Sequence, residues 1–314
     1  MPIPIIEASD LTKHYSLKSG AVVRALCGVS FTVGEGDAVG LIGMNGAGKS
    51  TMIKLMTGII HPTSGTVSVM GCVPARDRRS LCRHYGVMFG QRSQMMWDLP
   101  ARDSFFVNGS IYGLSSKDVL HKLEEFGHIL DLDFLDVPVR QLSLGQKMIC
   151  DFLLILLHEP RLLFLDEATI GLDVYNRARL LQAISYMNRQ HGITMVLTTH
   201  LMNDIESVCG KILLIDKGEL RYDGPLTGFL RGGDLYRRIG VEFHDSRSLD
   251  RVSRMLKEYE GIRAVAEEHV LKIYCPNDNA LIRTLVASIY DNASVVEVTI
   301  ANVSLEERLL EMRS

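Results

Sequence analysis

The segment Gly43-Met44-Asn45-Gly46-Ala47-Gly48-Lys49-Ser50-Thr51 fits the pattern G-x-x-x-x-G-K-[ST]. An apolar run, Ala38 to Ile42, precedes it and a helix-like stretch, Met52 to Met56, follows. That is the strand–loop–helix setting the pattern needs. Glycines let a backbone wrap closely round phosphate oxygens with its N–H groups turned inward. The following helix adds the positive end of its dipole. Lys49 has the reach for β- and γ-phosphates, and the Ser50 hydroxyl can hold Mg²⁺. Asn45, Gly46, Ala47, Gly48 and Thr51 complete the expected cradle for a nucleoside triphosphate.

Two further apolar runs end in groups that suit this chemistry. After Arg161 the run Leu162 to Leu165 is apolar and ends in Asp166 and Glu167, and it reads as a parallel strand buried on both faces. Carboxylates at the C-terminal tip of such a strand lie where open α/β sheets bind ligands. Asp166 is therefore expected in the magnesium shell, and Glu167 as the group that addresses an attacking water. The run Ile193 to Thr198 leads to His200, the best functional candidate among ten histidines.

Other elements must hold these strand tips. Residues 5–36 alternate between polar and apolar and predict an antiparallel β subdomain. Pro62 to Gly65 turns into a strand, Thr66 to Met70. Residues 101–160 have helical spacing, with an apolar face around Leu120, Leu123, Phe126 and Ile129. After Gly224-Pro225 the character changes, and Gly232-Gly233 reads as a short linker. Residues 239–300 then run strand, helix, strand, strand, helix, strand, the order of a small ferredoxin-like domain. Ser304 and Glu307 form a capping-box pattern in the tail. The expected domains are 1–230, with a helical part at about 92–160, and 236–314.

Between the phosphate loop and the acidic strand lies Leu142-Ser143-Leu144-Gly145-Gln146. The order of phosphate loop, L-S-x-G-Q, Asp-Glu strand and lone histidine resembles the ATP-binding subunit of an ABC transporter, over roughly residues 5–224. The resemblance implies an α/β fold: a P-loop NTPase core of the ABC ATPase type with antiparallel β and helical subdomains, to which the small α+β domain is added. It implies ATP and Mg²⁺ as ligands, with Tyr15 stacking on adenine and Gln91 sensing magnesium and the γ-phosphate. By the same likeness Ser143, Gly145 and Gln146 contact ATP held by an opposite subunit. Asp173 links the two sites, and His200 meets the γ-phosphate. Two positions depart from the family pattern: Leu144 replaces a glycine and Ala168 a proline. Neither removes a group that performs chemistry, so an active ATPase is expected.

The stretches Gly90 to Pro100, Leu142 to Gln146 and Glu167 to Asp173 look most like ATPases paired with ABC-2 type permeases, which are mostly exporters. An importer ATPase is the alternative, and a soluble ABC ATPase outside transport a more remote one. Met95, Met96 and Trp97, two thioethers beside the only tryptophan, suit an adaptable docking surface for a permease helix.

Composition bounds the rest. With 314 residues, 46% apolar, the chain can bury a large core and a smaller second one. A net charge of −3 and the lack of any basic run interleaved with aromatics argue against nucleic acid as a partner. Six scattered cysteines with no C-x-x-C pair imply reduced thiols in a cytosolic protein. No signal peptide is read at the N-terminus, and apolar stretches stop well short of the ~20 residues that span a bilayer. Transport would thus need separate integral membrane permease subunits. The chain would sit peripherally on the cytoplasmic face of the inner membrane, touching it only through the permease, as a homodimer or heterodimer of ATPase subunits.

Overall fold

The computed structural model describes the chain except residues 1–3, 18–19, 91–92, 235, 260, 304, 306, 308 and 310–314. It divides into two compact units, Met1–Pro225 and Leu226–Ser314.

In the first unit, β1 (Pro4–Ser16) and β2 (Val22–Gly34) form an antiparallel hairpin, followed by β3 (Ala38–Ile42), α1 (Lys49–Met56) and β4 (Ser64–Val69). β4 joins the other edge of β1, giving the three-stranded order β2-β1-β4. Its inward residues Ile6, Leu11, Leu26 and Val69 are fully buried, which is what the alternating pattern required. The chain continues through α2 (Pro74–Leu81), β5 (Tyr85–Phe89), α3 (Ala101–Ile111), α4 (Ser116–Gly127), α5 (Leu144–Leu156), β6 (Leu162–Asp166), α6 (Val174–His191), β7 (Thr194–Thr198), α7 (Met202–Val208), β8 (Lys211–Asp216) and β9 (Glu219–Pro225). A six-stranded sheet has the order β5-β6-β7-β3-β8-β9, parallel throughout except for the β8–β9 pair. Every residue of β3 and β7 is buried, so these strands read as continuous apolar runs rather than alternating ones.

Register brings the strand tips level. Phe89 on β5 lies opposite Asp166 on β6, and Asp166 lies opposite Thr198 on β7. β3, which leads into the glycine-rich loop, pairs with β7 through Gly40 and Leu197. The motifs that were far apart in the chain therefore leave the sheet along one edge.

Between β5 and β6 the chain is helical. Ser115 caps α4 by accepting from Asp118 N–H at 3.2 Å, while the Asp118 carboxylate accepts from Ser115 N–H at 2.8 Å. The inward face of α4 is Val119, Leu123 and Phe126, whereas Leu120 is exposed. At 100° per residue Val119, not Leu120, shares a side with positions four and seven further on, which corrects the face drawn from sequence.

The second unit begins with α8 (Leu226–Asp234). Gly232 and Gly233 thus lie in a helix rather than in a linker. Leu226, Phe229 and Leu230 recur at helical spacing and favour the helix; the glycines fall in its last turn, where their cost is smallest. β10 (Tyr236–Phe243), α9 (Ser246–Met255), β11 (Arg263–Glu267), β12 (Val270–Pro276), α10 (Asn279–Asn292) and β13 (Val295–Asn302) follow. The sheet order β11-β12-β10-β13, all antiparallel, is the ferredoxin-like arrangement. Ile239, Val241, Ile273, Val252, Leu285 and Ile289 form its core. Ser304 of the expected capping box lies outside the described residues. The Glu307 carboxylate accepts from Arg238 Nη1 at 2.9 Å and from Tyr274 OH at 3.1 Å.

Candidate active site

The loop after β3 ends in Gly48, whose φ is +119° and which caps α1. A Cβ there would lie 2.7 Å from the Ala25 carbonyl oxygen, so only glycine fits both the backbone angle and the space. Ala47, Gly48 and Lys49 are buried, Thr51 is half-buried, and Asn45, Gly46 and Ser50 are exposed. Lys49 Nζ donates to the carbonyl oxygens of Gly43 at 2.7 Å and Met44 at 3.0 Å. Burial lowers the Lys49 pKa, and the nearby carboxylates of Glu167 and Asp166 act in the opposite sense. A buried cation, a helix N-terminus and open loop residues form a donor set that fits a chain of phosphates.

At the tip of β6 the two acids are held by one residue. Thr198 is fully buried at the end of β7. Its Oγ1 donates to Asp166 Oδ1 at 2.5 Å and accepts from Glu167 N–H at 3.2 Å. Glu167 N–H also reaches Thr198 O at 3.0 Å. Glu167 has a left-handed φ of +57°, a conformation that costs a non-glycine residue about 1–2 kcal/mol and that these bonds hold in place. The turn aims the Glu167 side chain toward His200, whose Nε2 lies 2.5 Å from Glu167 Oε1. Asp166 and the Ser50 hydroxyl are hard oxygen donors beside the lysine, the chemistry that suits Mg²⁺.

Behind these groups stands a buried anchor that the sequence reading did not single out. Asp204 on α7 is fully buried. It accepts from Thr169 Oγ1 at 2.6 Å, Thr199 Oγ1 at 3.3 Å and Arg177 Nε at 2.6 Å. Thr169 follows Glu167 by two residues and Thr199 precedes His200, so one carboxylate steadies both loops. Its position four residues after His200, at the start of a short helix, is the only signal the sequence offered.

Ser143, Gly145, Gln146 and Asp173 lie together at a second place. Ser143 caps α5: its hydroxyl accepts from Gln146 N–H at 3.2 Å, and Gln146 Oε1 accepts from Ser143 N–H at 2.9 Å. Gln146 is thus committed through its carbonyl to the helix start. Asp173 caps α6, accepting from Tyr175 N–H and Asn176 N–H, each at 3.0 Å, and from Asn176 Nδ2 at 2.6 Å. These bonds, led by the one from Asn176 N–H, hold the Asp173 carboxyl below its usual range. A Cβ on Gly145 would lie 2.5 Å from Asn176 Cγ. Gly145 is required there because the two helix N-termini lean on each other. Around them Ser143, Leu144, Asp173, Val174 and Tyr175 are exposed. Tyr15 is half-buried on β1, opposite Val23, with Lys13 Nζ 5.3 Å from its ring centre. Gln91 lies outside the described residues; it follows Gly90, whose N–H donates to Asp166 O at 2.7 Å.

A cleft of about 1070 Å³ runs from Ser50, Asp166 and Glu167 past Ser93 and Gln94 to Tyr112 and His158. In the strip beyond it Met95 is buried, contrary to the docking surface read from sequence, while Met96 and Trp97 are exposed. Met95 is the one buried side chain between the exposed pairs Ser93-Gln94 and Met96-Trp97. Among the described residues, no helix is long and apolar enough to cross a membrane.

Comparison with known proteins agrees with this geometry. Residues 26–170 match the family model described as ABC transporter. The chain is 33% identical to the O-antigen export system ATP-binding protein RfbB of Klebsiella pneumoniae, over 73% of this chain and 89% of that protein. It is 32% identical to the methionine import ATP-binding protein MetN of Bacillus subtilis, over 71% of this chain and 66% of that one. Its fold resembles a dimeric, post-hydrolysis ATP-binding cassette bound to ADP and Pi, with TM-score 0.63 and 23% identity, covering 70% of this chain and 98% of the other.

Proposed function

Because the chain belongs to the ATP-binding subunits of ABC transporters, which hydrolyse ATP to drive transport, we propose that it powers export through separate ABC-2 type permease subunits. The observation that carries the export reading is the strip Gly90 to Pro100. Its Met96 and Trp97 are exposed three residues or fewer beyond Gln94, which lines the cleft. The 33% identity to an export system protein, spanning 89% of it, supports the same reading. The methionine import protein is matched over 66% of its length.

In this proposal two subunits, identical or homologous, sandwich two ATPs head to tail. Lys49 and the loop N–H groups bind the phosphates of one ATP, with Tyr15 on its adenine. The partner's α5 and α6 N-termini face the same ATP, offering the Ser143 hydroxyl proton, Gly145 and the Asp173 loop. Ser50, Asp166 and Gln91 are the residues that would hold Mg²⁺, which would supply positive charge against the phosphate oxygens. Glu167 Oε1 orients the attacking water and takes its proton, and the His200 imidazole steadies that carboxylate and reaches the γ-phosphate. Loss of the γ-phosphate removes the contacts that close the pair. The subunit then works peripherally at the cytoplasmic face of the membrane.

The test is affinity purification from native membranes, followed by mass spectrometry and an ATPase assay on the eluate. Recovery of a permease with about six transmembrane helices supports export. Co-recovery of a solute-binding protein would make the subunit an importer's, and an eluate without any permease would overturn the transport partner altogether.

A further inference from the structure

Three consecutive backbone amides just beyond Gln91 are held by side chains instead of by a helix or strand. Gln94 N–H donates to Asp151 Oδ1 at 2.9 Å, Met95 N–H to Ser93 Oγ at 3.2 Å, and Met96 N–H to Ser104 Oγ at 2.8 Å. The Ser93 hydroxyl donates to the same Asp151 Oδ1 at 3.1 Å. One carboxylate oxygen therefore fixes the first two described residues of the segment.

Asp151 sits in the middle of α5, between the fully buried Cys150 and Phe152, and is 5% exposed itself. An apolar side chain would fill that place without the cost of burying a carboxyl group. Both of the bonds it makes go to Ser93 and Gln94. One turn earlier on the same helix face, Lys147 Nζ lies 4.6 Å from the centre of the Trp97 ring. The helix thus grips the segment twice, and that helix is the one whose first turn is capped by Ser143.

We propose that Asp151 is a positioning residue that fastens the segment behind Gln91 to α5, so that the contact α5 makes with the partner's ATP and the contact Gln91 makes within its own site move as one body. This rests on the roles given above to Gln91 and Ser143. A rigid link of this kind matters because misplacing a group that meets the metal and the γ-phosphate by a fraction of an ångström slows a step without weakening ground-state binding. Removing the link therefore lowers kcat and spares KM. Asparagine keeps an Oδ1 that can accept both bonds, so it restores the link without the charge.

The experiment is steady-state Mg-ATPase kinetics of the subunit in its membrane complex, with Asp151→Ala, Asp151→Asn, Gln91→Ala and the double variant Q91A/D151A. The expected result is a kcat about tenfold or more lower for D151A, with KM for ATP within roughly twofold. D151N stays within about threefold of the parent, and the double variant is no slower than Q91A alone. Should D151A fail to fold, as a thermal melt would reveal, Ser93→Ala removes one of the two bonds and must give a smaller loss of kcat at unchanged KM. An unimpaired D151A beside a slow Q91A overturns the proposal, and so does a D151N as slow as D151A. A Q91A that hydrolyses ATP normally overturns instead the role of Gln91 on which the proposal rests.

Discussion

Removing the Asp204 carboxylate should unsettle both the first unit and its chemistry. In Asp204→Ala the Arg177 guanidinium loses its partner, and Thr169 and Thr199 lose their acceptor. Deleting one member of a buried ion pair costs about 3–5 kcal/mol, because the survivor stays uncompensated. The Arg177 side chain keeps 24% of its exposure, so water recovers part of that and the lower end, about 3 kcal/mol, applies. The two threonine hydroxyls can each turn to another acceptor, and together they add about 1 kcal/mol. For a unit of this size about 4 kcal/mol corresponds to a melting point lower by roughly 8–16 °C. Activity should fall as well when assayed far below the melt, since the carboxylate steadies the loops of Glu167 and His200. A drop of about tenfold in kcat matches the loss of one such restraint. Asp204→Asn, which keeps an acceptor but no charge, should fall between the two proteins. A D204A midpoint within about 2 °C of the parent would refute the stability argument. A full loss of stability with kcat unchanged would show that the anchor serves folding and not the site.

Three further outcomes follow from the same geometry. Glu167→Gln should lower kcat by about 10²-fold or more and leave an ATP-bound dimer visible by size exclusion; hydrolysis at the parental rate would remove Glu167 from the role of base. Trp97→Ala, exposed and away from the phosphate loop, should reduce transport while leaving ATP binding unchanged; equal loss of both would count against a docking role. Burial pushes the Asp151 carboxyl up to about 6 from an ordinary 3.8. The folded state therefore holds the proton more tightly, and the stability this group contributes is full below pH 4 and lost as pH rises through 6. The unfolding free energy of Asp151→Asn relative to the parent should accordingly rise across that range, by up to about 3 kcal/mol at neutral pH. A flat difference would mean that the carboxyl titrates normally.

Much of this was legible in the sequence because the motifs carry their own local geometry. The glycine-rich loop, the Asp166-Glu167 tip and the βαββαβ order of the second unit each follow from residue type and periodicity over a few residues. What escaped depends on contacts between segments remote in the chain. Asp204 and Thr198 are ordinary residues until β6, β7 and α7 meet, and Asn176 acquires its place only when Gly145 lies against it. The burial of Met95 and the helix through Gly232-Gly233 escaped for the opposite reason. There composition suggested a surface and a linker, and packing within each segment decided otherwise.

Thr198 limits how this site can drift under mutation. Its single hydroxyl donates to one acid and accepts from the backbone of the next while shut away from water. Only two side chains carry an alcohol at that reach, and serine would leave the space of the γ-methyl group empty. Valine matches threonine in volume but has no hydroxyl, so it would strand the Asp166 oxygen and free the Glu167 turn together. A saturation library at this position should therefore collapse to two alcohols, where a position that merely fills volume would accept several aliphatics. The acid expected to face the metal and the acid expected to face water are bound to a common fate by one oxygen atom, so neither can be retuned by changes on its own strand alone.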